Sequence, residues 1–139
     1  QIDGLLKLSP LICYESIFPS ISVDRNNHPN WILNVTNDGW FGKSIGPYQH
    51  FMMSKTRAIE QGIPMVRVAN TGISSVIDPY GRILSYISLG SEGVIESKLP
   101  KKLDKRTIYS QYGDLIIFIF VVISYIIFGL RYFRNKQFS

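Results

Sequence analysis

Cysteine is almost missing from this sequence: among 139 residues there is one, Cys13. A single thiol excludes an intramolecular disulfide and any metal site built from several cysteines. Histidine is nearly as scarce, and the two present, His28 and His50, form no recognisable ligand pair. Neither a metal nor an organic cofactor is therefore expected. Acidic residues are outnumbered by lysine and arginine, 10 to 15, which gives a net charge of +5. Much of the excess lies toward the C-terminus, at Lys98, Lys101, Lys102, Lys105, Arg106, Arg131, Arg134 and Lys136. Basic residues on both sides of an apolar run point to lipid headgroups rather than to nucleic acid. The chain starts at Gln1 without a signal-like leader and reads as the C-terminal piece of something longer. No internal repeat is evident, and the length suits one domain with a real core.

What is present begins with an apolar run from Leu8 to Cys13, too short for a helix and broken by Pro10, which reads as a buried strand. Cys13 then stands at its carboxyl end, the end that faces the ligand crevice in open α/β sheets. A thiol there is a candidate nucleophile once a base or a positive charge supplies the thiolate. A free cysteine is also a common small buried hydrophobe, and the local sequence leaves both readings open. Residues 16–25 fit one or two helical turns, and Asn26 to Asn30 is dense in turn formers.

Further strands are predicted at Trp31–Thr36, Pro64–Ala69, Ile73–Asp78 and Arg82–Ile87, the last two joined by a hairpin turn at Pro79–Gly81. Gly93–Leu99 is a sixth candidate. Between the second and third strands, Asn37–Pro47 carries Trp40 and Phe41 among three glycines and is expected to be a loop. Its aromatics either serve function or tuck into the core. Gly42 and Gly46 are followed by Pro47 rather than Lys-Ser/Thr, so this is no phosphate-binding loop. Pro47 to Gln61 reads as an amphipathic helix with Tyr48, Phe51, Met52, Ala58 and Ile59 on one face, begun by Pro47 and stopped by Gly62. Met52 and Met53 are expected to fill the core or lie near lipid. Strand, loop, strand, helix and hairpins describe an α/β layered domain.

Leu115 to Leu130 is sixteen residues without a charge. At about 1.5 Å per residue it spans roughly 24 Å, short of the roughly 30 Å hydrocarbon core. Arg131, which can snorkel, and the interfacial aromatics Tyr132 and Phe133 extend it, so a transmembrane helix is expected. Five basic residues precede the run between Lys98 and Arg106 and three follow it, a count that leaves orientation undecided.

The stretches LICYES and NVTNDGWFGKSIGPYQHFMMSKTRAIEQGIPMVRVANTGISSVIDPYGRI, with the apolar C-terminal helix, closely resemble the C-terminal part of the apolipoprotein N-acyltransferases, membrane enzymes with a nitrilase-superfamily domain. The resemblance implies an αββα sandwich, present here as a partial domain over residues 1–100, a basic linker at 101–113, a transmembrane helix at 114–133 and a basic tail at 134–139. It places the catalytic part on the periplasmic side of the bacterial inner membrane and the tail in the cytoplasm. It also implies the chemistry: a cysteine takes an acyl chain from a phospholipid as a thioester and passes it to the N-terminal S-diacylglyceryl cysteine of an apolipoprotein. Cys13 matches the nucleophile, Glu15 a supporting glutamate, Tyr14 an aromatic whose backbone N–H contacts the oxyanion, and Trp40 a tryptophan suited to substrate binding. No cofactor or nucleic acid is implied.

The superfamily's other catalytic residues, a glutamate base and a lysine, lie upstream of the cysteine. Here only Asp3 and Lys7 precede Cys13 as acid and lysine, and neither role is carried onto them. The chain is thus expected to work beside an N-terminal half that supplies both, or to be a non-catalytic, membrane-tethered remnant. A nitrilase-like amidase acting on a soluble substrate is the further alternative.

Overall fold

Short β-rich runs bounded by turn formers pair as strands where the sequence predicts them. The computed structural model describes residues 6–137. Strands at Leu8–Ile12 (β1), Trp31–Asn37 (β2), Met65–Asn70 (β3), Ser74–Ile77 (β4) and Ile83–Ile87 (β5) form one sheet in that order. The first three run parallel, and β3, β4 and β5 form an antiparallel meander. Pro10, which has no N–H to donate, falls on β1 at the edge of this sheet.

Single 3-10 turns occupy Pro19–Ile21, within the region 16–25 read as helical, and Cys13–Ile17, which begins three residues before it; a third occupies Asp38–Phe41 in the glycine-rich loop. The helix predicted at Pro47–Gln61 spans Gly46–Gln61 (α1), with proline in its first turn and a left-handed Gly62 (φ 65°) closing its end. Gly93–Leu99 is not a strand: it runs unpaired and Val94 is 95% exposed. Beyond it the chain leaves the sheet for the end of α1, where Leu103 N donates to Gly62 O at 2.9 Å. A short helix at Ile108–Tyr112 (α2) then leads into Leu115–Gln137 (α3).

One face of the sheet buries Leu11, Ile32, Met65 and Ile77 against Phe51 and Ala58 of α1, with Val23, Ile63 and Ile73 completing the cluster. The inward stripe of α1 is Pro47, His50, Phe51, Ser54, Arg57, Ala58 and Gln61, spaced by threes and fours. Of the apolar face predicted for this helix, only Phe51 and Ala58 point inward; Tyr48, Met52 and Ile59 are exposed, and so is Met53. Four of the seven inward residues are polar. Two of these, His50 and Ser54, face a buried polar cluster on the sheet.

The opposite sheet face carries Ile12, Val35 and Val68, aligned in register across three strands and each close to half exposed or more. Helix α3 presents the 18-residue apolar window Leu115–Tyr132, none of it buried within the described structure.

The packing predicts the cost of opening the core. Ile32 is fully buried between the sheet and α1, so Ile32→Ala should lower unfolding stability by about 2–5 kcal/mol, read from the shift in denaturant midpoint.

Candidate functional site

Because β1, β2 and β3 are parallel, their carboxyl ends lie at one end of the sheet, where open α/β sheets place their ligands. Cys13 follows β1, Asp38 follows β2, and Asn70-Thr71 ends β3. These are the three places where the sequence breaks most sharply.

Cys13 is partly buried and left-handed, with φ 50°. An L-residue in that region is strained by roughly 1–2 kcal/mol. The turn from strand into 3-10 helix, an elbow in the chain, is thus held by its surroundings rather than by its own preference. Glu15 Oε2 accepts the Ile12 N–H at 2.6 Å and clamps the turn from outside. Beneath it, Asn34 Nδ2 donates to the carbonyls of Leu11 at 3.1 Å and Cys13 at 3.4 Å, and Ser16 Oγ donates to Cys13 O at 3.3 Å.

Asn34 and Ser16 are the upper layer of a buried network centred on Arg67. Leu11, Asn34, Arg67 and Ser75 share one row across four strands, so the guanidinium lies under the elbow. It donates to Asn34 Oδ1, to Ser54 Oγ at 2.8 Å and to Asp38 Oδ2 at 2.8 Å. Asp38 Oδ1 accepts from His50 Nδ1 at 2.9 Å and from Thr36 Oγ1 at 3.3 Å, while Nε2 of the same imidazole lies 3.2 Å from Ser16 Oγ. Ser16 and Ser54 are joined at 2.9 Å. The inward polar residues His50 and Ser54 of α1 are therefore satisfied, and the helix sits with that stripe on the sheet because the sheet holds an ion pair there.

Burial alone would raise the Asp38 carboxyl, but hydrogen bonding by His50 and the charge and hydrogen bond of Arg67 outweigh it and hold Asp38 below its ordinary value. Burial draws Arg67 below its usual range against the pull of Asp38 and, more weakly, Cys13. Gly72 explains the break after β3. A Cβ there would stand 2.7 Å from Asp38 Cγ, so only glycine lets the carboxylate reach the pair. Thr71, before it, is also left-handed at φ 58°.

Of the residues singled out from the sequence, Cys13, Tyr14 and Glu15 share the elbow. Tyr14 stacks on His50 with ring centroids 5.0 Å apart, and Phe41 meets the same imidazole edge-on at 6.0 Å. Trp40 does not tuck into the core and is 84% exposed. It sits on the 3-10 turn next to a cleft of about 620 Å³, lined by Gly39, Gly42, Lys43, Tyr48, Thr71 and Leu89. Asp38, His50 and Arg67 were missed. The usable signal is a charged residue, Arg67, inside the predicted strand Pro64–Ala69, where only a partnered charge survives burial. No group of three or more His, Cys, Asp or Glu residues suited to a metal occurs among the described residues.

Asp38→Asn leaves Arg67 buried without its counter-ion and should cost about 3–5 kcal/mol of stability. Its lowered value also fixes the acid limb of the wild type. A carboxyl depressed in the folded state contributes fully above its unfolded value near 3.8 and loses that contribution as pH falls through the folded value. Stability measured from pH 6 downward should fall more steeply below about pH 4 in the wild type than in Asp38→Asn; equal slopes would contradict the pairing.

The carbon-nitrogen hydrolase family model matches residues 1–108. The chain is 50% identical over 132 residues to an apolipoprotein N-acyltransferase of Rickettsia bellii, covering 95% of this chain and 26% of that protein. It is 53% identical over 131 residues to one of Rhodopseudomonas palustris, covering 94% and 24%. It thus spans about a quarter of the length of these curated relatives. Among solved structures, a carbon-nitrogen hydrolase from Helicobacter pylori G27 superposes with a TM-score of 0.57 at 14% identity, over 64% of this chain and 39% of that one. A mutant amidase of the nitrilase superfamily from Nesterenkonia AN1 gives 0.50 at 22% identity, over 64% and 36%. The sheet described above is the fold these proteins share, and the chain belongs to the carbon-nitrogen hydrolase family.

Proposed function

We propose that this chain is the nucleophile-bearing part of an apolipoprotein N-acyltransferase, with Cys13 as the acyl-accepting residue. The observation that carries the reading is the left-handed Cys13 at the carboxyl end of β1, held by buried partners in a chain about half identical to proteins of that name. In the first step a base takes the Cys13 thiol proton, the thiolate attacks an ester carbonyl of a phospholipid, the C–O bond breaks, and the lysophospholipid leaves carrying that proton. In the second, the α-amino group of an apolipoprotein's S-diacylglyceryl cysteine attacks the thioester, forming an amide and releasing the thiol. A thioester suits this relay because it keeps the acyl group activated until the amine arrives.

Tyr14 is the second residue of the 3-10 turn, where a backbone N–H lacks an intrahelical acceptor, and its amide is assigned to the oxyanion. Glu15 supports the turn through Ile12 N. Trp40 and the cleft beside it take the acyl chain, since an exposed indole at an apolar-lined opening suits a lipid tail. The glutamate base and the lysine come from chain preceding these 139 residues, and the same chain covers the apolar row Ile12, Val35 and Val68 to complete the sandwich. Residues 1–100 form the catalytic portion, 101–113 a basic linker, 114–133 the membrane span and 134–139 the tail. The domain faces the periplasm of the bacterial inner membrane and the tail faces the cytoplasm.

Incubation with phospholipid, alone and together with a polypeptide supplying the remainder of the domain, should yield an acyl adduct on Cys13 visible by intact mass and labile to hydroxylamine. The adduct should vanish on addition of a diacylglyceryl-cysteine peptide and be absent from Cys13→Ala. An adduct that survives in Cys13→Ala, or none under either condition, would overturn the assignment.

A further inference from the structure

The basic segment before α3 does not dangle as a free linker. Leu103 N donates to Gly62 O at 2.9 Å, and the Thr107 hydroxyl donates to Glu60 O, so residues 103–107 are fastened to the C-terminal end of α1. Fastened there, Lys102, Lys105 and Arg106 line a cleft of about 170 Å³ with His28. Asp104 is the one carboxylate among the lining residues. Arg106 Nη1 donates to Arg25 O at 3.0 Å, tying this segment to the loop after β1. The Arg25 guanidinium in turn lies against Gly113, so close that a Cβ at Gly113 would overlap it. Three cations thus line one cleft at the end of α1, and a fourth, Arg25, tied through its carbonyl to Arg106, reaches Gly113 where the chain turns from α2 into the apolar helix. His28 sits partly enclosed, its Nε2 3.0 Å from Ser110 Oγ of α2. Burial and then the nearby charges of Arg106 and Lys102 hold it below its ordinary value, so near neutral pH it adds no charge of its own.

Like charges brought together at fixed positions repel unless an anion joins them, and only Thr107, α2, Gly113 and Asp114 separate Arg106 from the apolar span, none of whose 18-residue window is buried. A lipid phosphate at the membrane surface is the anion that this placement presents to them. We propose that Arg25, Lys102, Lys105 and Arg106 form a binding site for the phosphate headgroup of an anionic phospholipid, which holds the domain against the bilayer at a fixed height and tilt. This site is separate from the cleft beside Trp40, and it rests on the membrane-spanning reading of α3.

The test is lysine acetylation footprinting of the full chain in lipid nanodiscs. Discs of phosphatidylcholine alone should leave Lys102 and Lys105 reactive, and discs with about a third phosphatidylglycerol should slow both about fivefold or more, with Lys55 on α1 unchanged as the reference. Arg106→Gln should remove much of that protection and Arg106→Lys should restore it. Equal rates in the two kinds of disc would overturn the proposal while leaving the membrane span intact. Protection by millimolar inorganic phosphate in phosphatidylcholine discs would overturn the lipid assignment in favour of a free-anion site. A chain that stays out of the discs altogether would overturn the membrane reading and this proposal with it.

Discussion

A fully buried arginine is the constraint on which the rest of this structure depends. Arg67 lies in the middle of β3, on the sheet face that α1 covers, and its guanidinium has no access to water. Desolvating such a charge costs several kcal/mol unless it is paired and hydrogen-bonded. The surrounding sequence supplies the partners in turn: Asp38 from the end of β2, Asn34 from its interior and Ser54 from α1. Each then has its own requirement. Asp38 needs Gly72 to make room, and it accepts a hydrogen bond from His50 Nδ1. That is why a helix with a largely polar stripe packs stably against a sheet.

The same cluster connects the core to the carboxyl ends of the parallel strands. Asn34 spans the distance between Arg67 and the carbonyls of Leu11 and Cys13, while Ser16 links Cys13 to His50 and Ser54. The strained φ of Cys13 therefore belongs to a connected hydrogen-bond network and is not an isolated local distortion. Tyr14 and Phe41 close over the His50 ring and keep water from the network. With the polar groups committed inward, the outer surface of the loop is left to Trp40 and the apolar cleft beside it.

Much of the fold was legible in the sequence because its strands are short β-rich runs and its turns are chemically explicit. The five strands, the turn at Asp78–Arg82 and the proline-to-glycine span of α1 fall within a residue or two of their expected positions. Gly93–Leu99 has a strand-like pattern but pairs with no strand, because the chain there leaves the sheet for the end of α1. α1 misled for a related reason. The sequence pattern puts its apolar residues on one inward face, yet the covered surface is partly polar, so Phe51 and Ala58 point in while Tyr48, Met52 and Ile59 point out. Cys13 at a strand end was readable from the apolar run and the resemblance, whereas Asp38, His50 and Arg67 are brought together only by the parallel register, which no local spacing encodes. The basic cluster was readable as charge near an apolar run, but not the fastening of residues 103–107 to α1 that gathers it.

The most direct test of this account is hydrogen exchange at the elbow in the paired variant Arg67→Met, Asp38→Leu, which replaces the ion pair by apolar groups and leaves no unpaired charge in the core. If the buried pair holds the turn, amides of residues 13–17 should exchange at least tenfold faster than in the wild type, with β4 and β5 unchanged. Unaltered protection at residues 13–17 would mean that the elbow is set by its own local contacts and would contradict the account.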